Sequence, residues 1–209
     1  MKIGIFGGSF DPIHNGHINL ALSVIDMLTL NKLIIIPASS PPHKEISGLA
    51  SKNDRFNMCS IVANCYDGME VSCMEIKRGG KSYTIDTLKE IRSVYKDDEI
   101  YLILGSDMFF SIKDFKCSSE IFKMCTLCVV PRRAQETDCI REYASFLRNI
   151  GASVVVLDIA PIEISSTQVR ERLKSNRDIS KFLPGNVEQY IREKRLYGLG
   201  GEYLIKEYK

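Results

Sequence analysis

Two of the chain's three histidines, His14 and His17, stand three residues apart behind a pair of glycines, in GIFGGSFDPIHNGH (4–17). Imidazoles beside glycine-rich backbone suit one task well: donating hydrogen bonds to negative charge that builds on a phosphate. A bend at Gly7-Gly8 and a helix beginning near Gly16-His17 would add backbone N–H groups, which attract phosphate oxygens. The spacing is not G-x-G-x-x-G, so hydride transfer on a dinucleotide is disfavoured. A metal centre of His14, His17 and Asp11 is the weaker reading, because the H-E-x-x-H spacing and its glutamate are missing.

A second segment with matching chemistry lies far along the chain, ISSTQVR (164–170). Ser165 and Gln168 have the Ser-x-x-Gln form of a capping box. The helix they open would point unpaired N–H groups outward, a seat for a phosphate or nucleotide. Ser166 and Thr167 add hydroxyls, and Arg170, one turn on, can reach a bound phosphate. GGKS (79–82) does not complete a P-loop, since Glu75 stands where G-x-x-x-x-G-K-S needs glycine. Gly79-Gly80 reads instead as a turn before a helix with Thr84 at its N-terminus. SPPHKEISGLASKNDR (40–55) reads as a long loop, extended at Pro41-Pro42, in which Lys44 can meet phosphates and Arg55 begins the next helix.

These segments need elements to hold them. Short β-branched runs at 2–6, 32–38, 69–76, 99–105, 126–131 and 153–158 alternate with helical patterns near 17–30, 53–66, 84–95, 107–116, 136–149, 166–174 and 186–195. Several strands are apolar on both faces, as in a mostly parallel sheet covered by helices on both sides. The alternation predicts a doubly wound α/β fold. Asn186, three residues before Gln189, reads as a second capping box. In such sheets ligands bind beyond the carboxyl ends of the strands, where both chemistry-bearing segments fall. Residues 1–197 read as one domain and 198–209 as a tail of unassigned role.

The composition narrows the function classes. Of 209 residues 44% are hydrophobic and 26% charged, with a formal net charge of +2. That balance disfavours nucleic-acid binding driven by phosphate neutralisation. No apolar run approaches the roughly 20 residues of a membrane span, and MKIGIF meets Gly7-Gly8 before a signal peptide's apolar region can form. The expectation is a soluble cytoplasmic protein. Seven cysteines at irregular spacing read as free thiols. Cys125 and Cys128 form a C-x-x-C, with Cys117 and Cys139 nearby. Because CTLCVVP runs into a strand, they read as buried small apolar residues, not a redox or zinc motif.

His14-Asn15-Gly16-His17 and ISSTQVR together resemble the two signatures of the H-x-G-H nucleotidyltransferase superfamily. Within it, GGSFDPIHNGH, SPPHK (40–44), SYTIDTL (82–88), GSDMF (105–109) and LPGNVEQYIREKRLY (183–197) are similar to the bacterial nicotinate-mononucleotide adenylyltransferase family. The resemblance spans nearly the whole chain and implies a Rossmann-like fold. It also implies that the phosphate of nicotinate mononucleotide attacks the α-phosphate of ATP, releasing pyrophosphate, with Mg²⁺ arriving alongside ATP. His14, His17 and Arg170 are then catalytic. Gly7, Gly8, Ser9, Phe10, Gly105, Asp107, Ile164, Ser165, Ser166 and Thr167 hold ATP, with Gly105 and Asp107 at the ribose. Lys44, Arg55, Thr84, Phe115 and Arg132 bind nicotinate mononucleotide, Thr84 in the carboxylate pocket. Phe115 stands where the family commonly has a tryptophan that stacks on the pyridine; this chain has no tryptophan. Lys113-Asp114 replaces the usual Pro-Lys before that aromatic, and Arg133 a common proline. A phosphopantetheine adenylyltransferase, a non-catalytic nucleotide sensor on the same fold and a histidine-metal hydrolase are the competing expectations. Oligomeric state is left open by the sequence.

Overall fold

The computed structural model describes residues 1–40, 50–131, 134–159 and 164–198. In chain order the first half holds β1 (Lys2–Gly8), α1 (Asn15–Leu28), β2 (Lys32–Pro37), α2 (Lys52–Ala63), β3 (Met69–Val71), α3 (Met74–Arg78), α4 (Thr84–Val94) and β4 (Glu99–Gly105). The second half holds α5 (Ser106–Phe110), α6 (Ser118–Met124), β5 (Thr126–Val130), α7 (Thr137–Asn149), β6 (Ser153–Val156), α8 (Ser166–Lys174) and α9 (Gly185–Glu193), followed by a 3₁₀ turn at Leu196–Gly198.

The six strands form one parallel sheet in the order β3-β2-β1-β4-β5-β6. Alternation along each strand feeds two cores. Phe6, Leu33 and Ile35 face one side, packed with residues of α1, α2, α8 and α9 such as Val24, Met58, Val169 and Val187. Ile3, Ile5, Ile34 and Ile36 face the other, packed with residues of α4, α6 and α7 such as Leu88, Ile121 and Ile140. This is the expected α/β, Rossmann-like arrangement with helices on both faces. The strand order reverses direction between β1 and β4, and a crevice opens at the carboxyl ends of strands on either side of such a switch. Two residues beyond the Phe6–Ile103 pair stand Gly8 and Gly105. No helix among the described residues is long and apolar enough to cross a membrane.

Four local expectations are corrected. The run 69–76 is strand only to Val71; Met74–Arg78 is helix. Its Glu75 is buried and accepts a hydrogen bond from Thr87 Oγ1 at 2.6 Å, a tertiary contact that favours the helical turn. The helix read at 107–116 is broken: α5 stops at Phe110, a 3₁₀ turn at Ile112–Asp114 ends at extended Phe115, and α6 starts afresh after Cys117, whose φ is a left-handed 56°. Gly7 and Gly8 are not a bend but the last residues of β1, paired with Ile36 and Pro37. Finally α9 starts from Pro184, not Asn186, and the Asn186 side chain accepts from the N–H of Val187 at 2.9 Å.

Candidate active site

Because β1 runs through Gly8, the chain turns one step later, at Phe10, whose φ is +45°. An aromatic residue rarely adopts this conformation, and Phe10 is held in it by burial, its ring edge-on to Phe6 and His17. The two glycines differ in what they permit. A Cβ on Gly8 would lie 2.9 Å from the Phe10 ring, so only glycine lets that ring seat. A Cβ on Gly7 would meet nothing within 4 Å; the strand end is bare backbone there.

The histidines do more than flank this turn. His14 is the N-cap of α1, and each imidazole caps the other's backbone. The N–H of His17 donates to His14 Nδ1, and the N–H of His14 to His17 Nδ1, both at 3.3 Å. With each Nδ1 accepting, the proton of each neutral ring sits on Nε2. The rings stack at 3.7 Å between centroids, His14 buried and His17 half-buried. A capping box normally uses a hydroxyl and a carboxamide or carboxylate; built from imidazoles, it fixes two Nε2–H donors as one rigid unit.

The distant ISSTQVR segment is brought to the same loop. Ser165 caps α8, its Oγ accepting from the N–H of Gln168 at 3.1 Å, as expected. Ser166 Oγ donates to the Pro12 carbonyl at 3.0 Å, and Arg170 Nη1 donates to the Asp11 carbonyl at 2.7 Å. Arg170 Nη2 also donates to Thr167 Oγ1 at 3.2 Å. Ile164 packs on the core beneath. Below the histidines, the N–H of Asn15 donates to the Phe182 carbonyl at 2.8 Å, so the connection after α8 braces α1 too. His14, His17, Ser165, Ser166, Thr167 and Arg170 thus share one crevice edge with Gly7, Gly8, Ser9 and Phe10. Gly105 caps α5 at the adjacent strand end, with Asp107 exposed in its first turn.

A second group gathers beside β2. The N–H of Ala38 donates to the Gly8 carbonyl, and the N–H of Ser39 to Ser82 Oγ at 2.9 Å. These bonds draw the start of α4, where Thr84 is the first helical residue after the left-handed Gly79 and Gly80, to the end of β1's neighbour. Lys116 Nζ lies 4.6 Å over the Tyr83 ring, and the preceding Phe115 is half-buried. Lys44 and Arg132 lie outside the described residues, as does the tail from 199 onward.

Arg55, a lone charge that locally reads as a solvated surface group and that the resemblance implies is a nicotinate mononucleotide-binding residue, is buried. It is 2% exposed, and its guanidinium donates to the carbonyls of Ser9 at 2.7 Å and Ala38 at 2.6 Å. It clamps the turn to β2 from behind. Burial lowers its pKa and the Asp11 charge acts against that; arginine stays protonated throughout. Locally Asp11 reads only as a candidate metal ligand and Tyr197 carries no signal; the buried polar junction they form has no local signature. Cys125, at the end of α6, and Cys128, in β5, are buried as expected, and burial pushes both thiols up to about 12. Cys117 and Cys139 are instead exposed: Cys117 stands at the left-handed turn before α6, and Cys139 lies in the first turn of α7, whose buried side begins at Ile140.

Comparison with known proteins agrees with this geometry. The sequence model of the Cytidylyltransferase-like family matches residues 5–172. A Geobacter sp. (strain M21) protein named "Probable nicotinate-nucleotide adenylyltransferase" is 36% identical over 212 aligned positions, covering 94% of this chain and 98% of its own. A protein of the same name from Geotalea daltonii is 37% identical, covering 96% of this chain and 100% of its own. Among solved structures, Plasmodium falciparum nicotinic acid mononucleotide adenylyltransferase complexed with NaAD superposes with a TM-score of 0.77 at 20% identity, over 94% of this chain and 97% of that one. At that identity the likeness speaks for the fold, and the curated relatives speak for the family. This chain belongs to the nicotinate-nucleotide adenylyltransferase family.

Proposed function

We infer that the protein transfers the adenylyl group of ATP to nicotinate mononucleotide, giving nicotinate adenine dinucleotide and pyrophosphate. One observation carries the reading. Two hydrogen bonds, from Ser166 to Pro12 and from Arg170 to Asp11, seat the ISSTQVR segment on the histidine loop at the β1–β4 crevice. The nucleophile, a phosphate monoester, is already anionic at neutral pH, so neither a general base nor a covalent intermediate is required. What the reaction needs is alignment and stabilisation of charge on the phosphates. In this reading Gly7 to Phe10 and the start of α8 receive the triphosphate. The Nε2–H donors of His14 and His17, with Arg170, face the charge that grows as pyrophosphate leaves. Gly105 and Asp107 take the ribose. Thr84, at a helix N-terminus that favours an anion, takes the nicotinate carboxylate, and Phe115 stacks on the pyridine with Lys44 and Arg132 nearby. Arg55 supports the loop from behind.

Mg²⁺ enters with ATP as part of that substrate; no group of three or more potential ligands among the described residues offers it a cage of its own. An enzyme drawing on ATP in this way belongs in the cytoplasm. Residues 1–197 act as one domain, with 198–209 appended. Pyrophosphate release from Mg²⁺-ATP, with nicotinate mononucleotide, nicotinamide mononucleotide and phosphopantetheine offered separately, tests the reading. Turnover chiefly with the first is expected; turnover with none would overturn it.

A further inference from the structure

We propose that Asp11 and Tyr197 are positioning residues for Arg170, a buried carboxylate and a C-terminal hydroxyl that together fix the guanidinium at the mouth of the site. The proposal rests on the reading that Arg170 meets the triphosphate. Asp11 is 1% exposed, in the turn between β1 and α1, and its two carboxylate oxygens are used differently. Oδ1 accepts from the N–H of Ala50 at 3.0 Å and from the Tyr197 hydroxyl at 2.8 Å. Oδ2 is buried without a hydrogen bond and faces Arg170 Nη1 at 3.6 Å. The same Nη1 donates to the Asp11 carbonyl at 2.7 Å. One oxygen is therefore saturated by the scaffold, and the other is offset by the charge of Arg170.

Tyr197 is the device that keeps this division. It lies 186 residues from Asp11 in the chain, is 7% exposed, and sits at φ +62° inside the closing 3₁₀ turn. Burial, reinforced by the neighbouring Asp11 charge, pushes its hydroxyl up, so it remains protonated and donates. Because Oδ1 is held by Tyr197 and Ala50, the carboxylate does not rotate, and Oδ2 stays presented to Arg170. A buried carboxylate left uncompensated is costly, so the guanidinium is kept where Asp11 needs it. Donors held rigid before substrate arrives need no reorganisation as charge develops. Arg55 is committed to the Ser9 and Ala38 carbonyls, and among the described residues Arg170 is the cation that meets Oδ2.

The test is a double-mutant cycle read by turnover and by calorimetric affinity for Mg²⁺-ATP. Asp11→Asn retains shape and an oxygen for Ala50 and Tyr197 but removes the charge opposite Arg170; Tyr197→Phe removes one hydroxyl. We expect Asp11→Asn to lower kcat/KM for ATP about 30-fold and Tyr197→Phe about 5-fold, magnitudes in the range seen when one member of a buried charge network is altered. Made in an Arg170→Ala background, either substitution should change ATP affinity less than twofold, because residues acting through a third lose their effect when it is gone. Equal losses in both backgrounds would mean that Asp11 and Tyr197 merely hold the loop, and no loss with Arg170 present would mean that they do nothing for it; either result overturns the proposal. If Asp11→Asn melts at the assay temperature, the Tyr197→Phe arm decides alone. If Arg170→Ala binds ATP and turns over like the unaltered protein, the phosphate role of Arg170 falls first, and the proposal with it.

Discussion

In the proposed reaction His14 serves structure and chemistry at once. As N-cap of α1 it accepts the N–H of His17, and the same bond leaves its proton on Nε2. The two roles separate in His14→Asn. Asparagine is a good N-cap, so stability should change by no more than about 0.5 kcal/mol in a denaturant titration, while turnover falls about 10²-fold for loss of a charge-stabilising donor. His17→Ala should fall 10²–10³-fold, roughly the cost of one oxyanion donor. The glycine pair separates in the opposite way. Gly8→Ala puts a methyl 2.9 Å from the Phe10 ring, so the melting temperature should drop, with a cost of about 1–3 kcal/mol typical of overpacking. Gly7→Ala meets no protein atom; its stability should hold while KM for ATP rises, because the methyl would stand where the proposed site takes up phosphate oxygens. A Gly7→Ala enzyme with unchanged ATP kinetics would remove that strand end from the nucleotide site.

Elements matter here mainly through their ends. The start of α8 is the seat proposed for the nucleotide, and Ser165→Ala should cost about 1 kcal/mol of stability by denaturant unfolding through loss of the cap. Ser51, which caps α2 by accepting from the N–H of Asp54, makes the control: Ser51→Ala should cost a similar amount and leave ATP binding untouched. The segment between α5 and α6 carries Phe115, and its Lys116 lies over the ring of Tyr83, which precedes α4. Stacking of an aromatic on a base contributes ~1–3 kcal/mol. Phe115→Ala should therefore raise KM for nicotinate mononucleotide about tenfold or more while changing KM for ATP little, a split that steady-state kinetics resolves directly. Equal changes in both would move the pyridine elsewhere.

On the scale of the whole molecule, the sheet decides which thiols exist for solvent. Cys59, Cys125 and Cys128 are buried, and Cys65, Cys117 and Cys139 are exposed. Iodoacetamide should label the exposed three in the native protein and the buried three only in denaturant, read by mass spectrometry. The buried thiols also set an alkaline limit. Burial raises Cys125 and Cys128 from an ordinary 9.0 to about 12, so the unfolded chain loses those protons first. The stability they contribute is complete below pH 9 and is lost as pH rises to about 12, at about 1.4 kcal/mol per pH unit for each group. Cys59 and Tyr197, raised by the same burial, act in the same direction. Unfolding midpoints should fall steadily above pH 9, and the slope should shrink in Cys125→Ala/Cys128→Ala.

The α/β alternation, the two-faced apolar strands and both signature segments are properties of sequence alone, because pattern, caps and glycines act over a few residues. So is the cap at Ser165, a contact three residues long. What tertiary structure decided lies at longer range. Whether 74–76 is strand or helix depends on Thr87 reaching Glu75, and the run after α5 is broken where Phe109 and Ile112 are both buried. Arg55 reads locally as a solvated cation and becomes a buried clamp only because two carbonyls just past the ends of β1 and β2 converge on it. Asp11 gains its role from Ala50, Arg170 and Tyr197, up to 186 residues away. Each depends on a partner whose position in space the local sequence does not encode. The chemistry-bearing residues are thus legible one segment at a time, whereas the forces that hold them in register come from contacts that exist only once the sheet has closed its two cores.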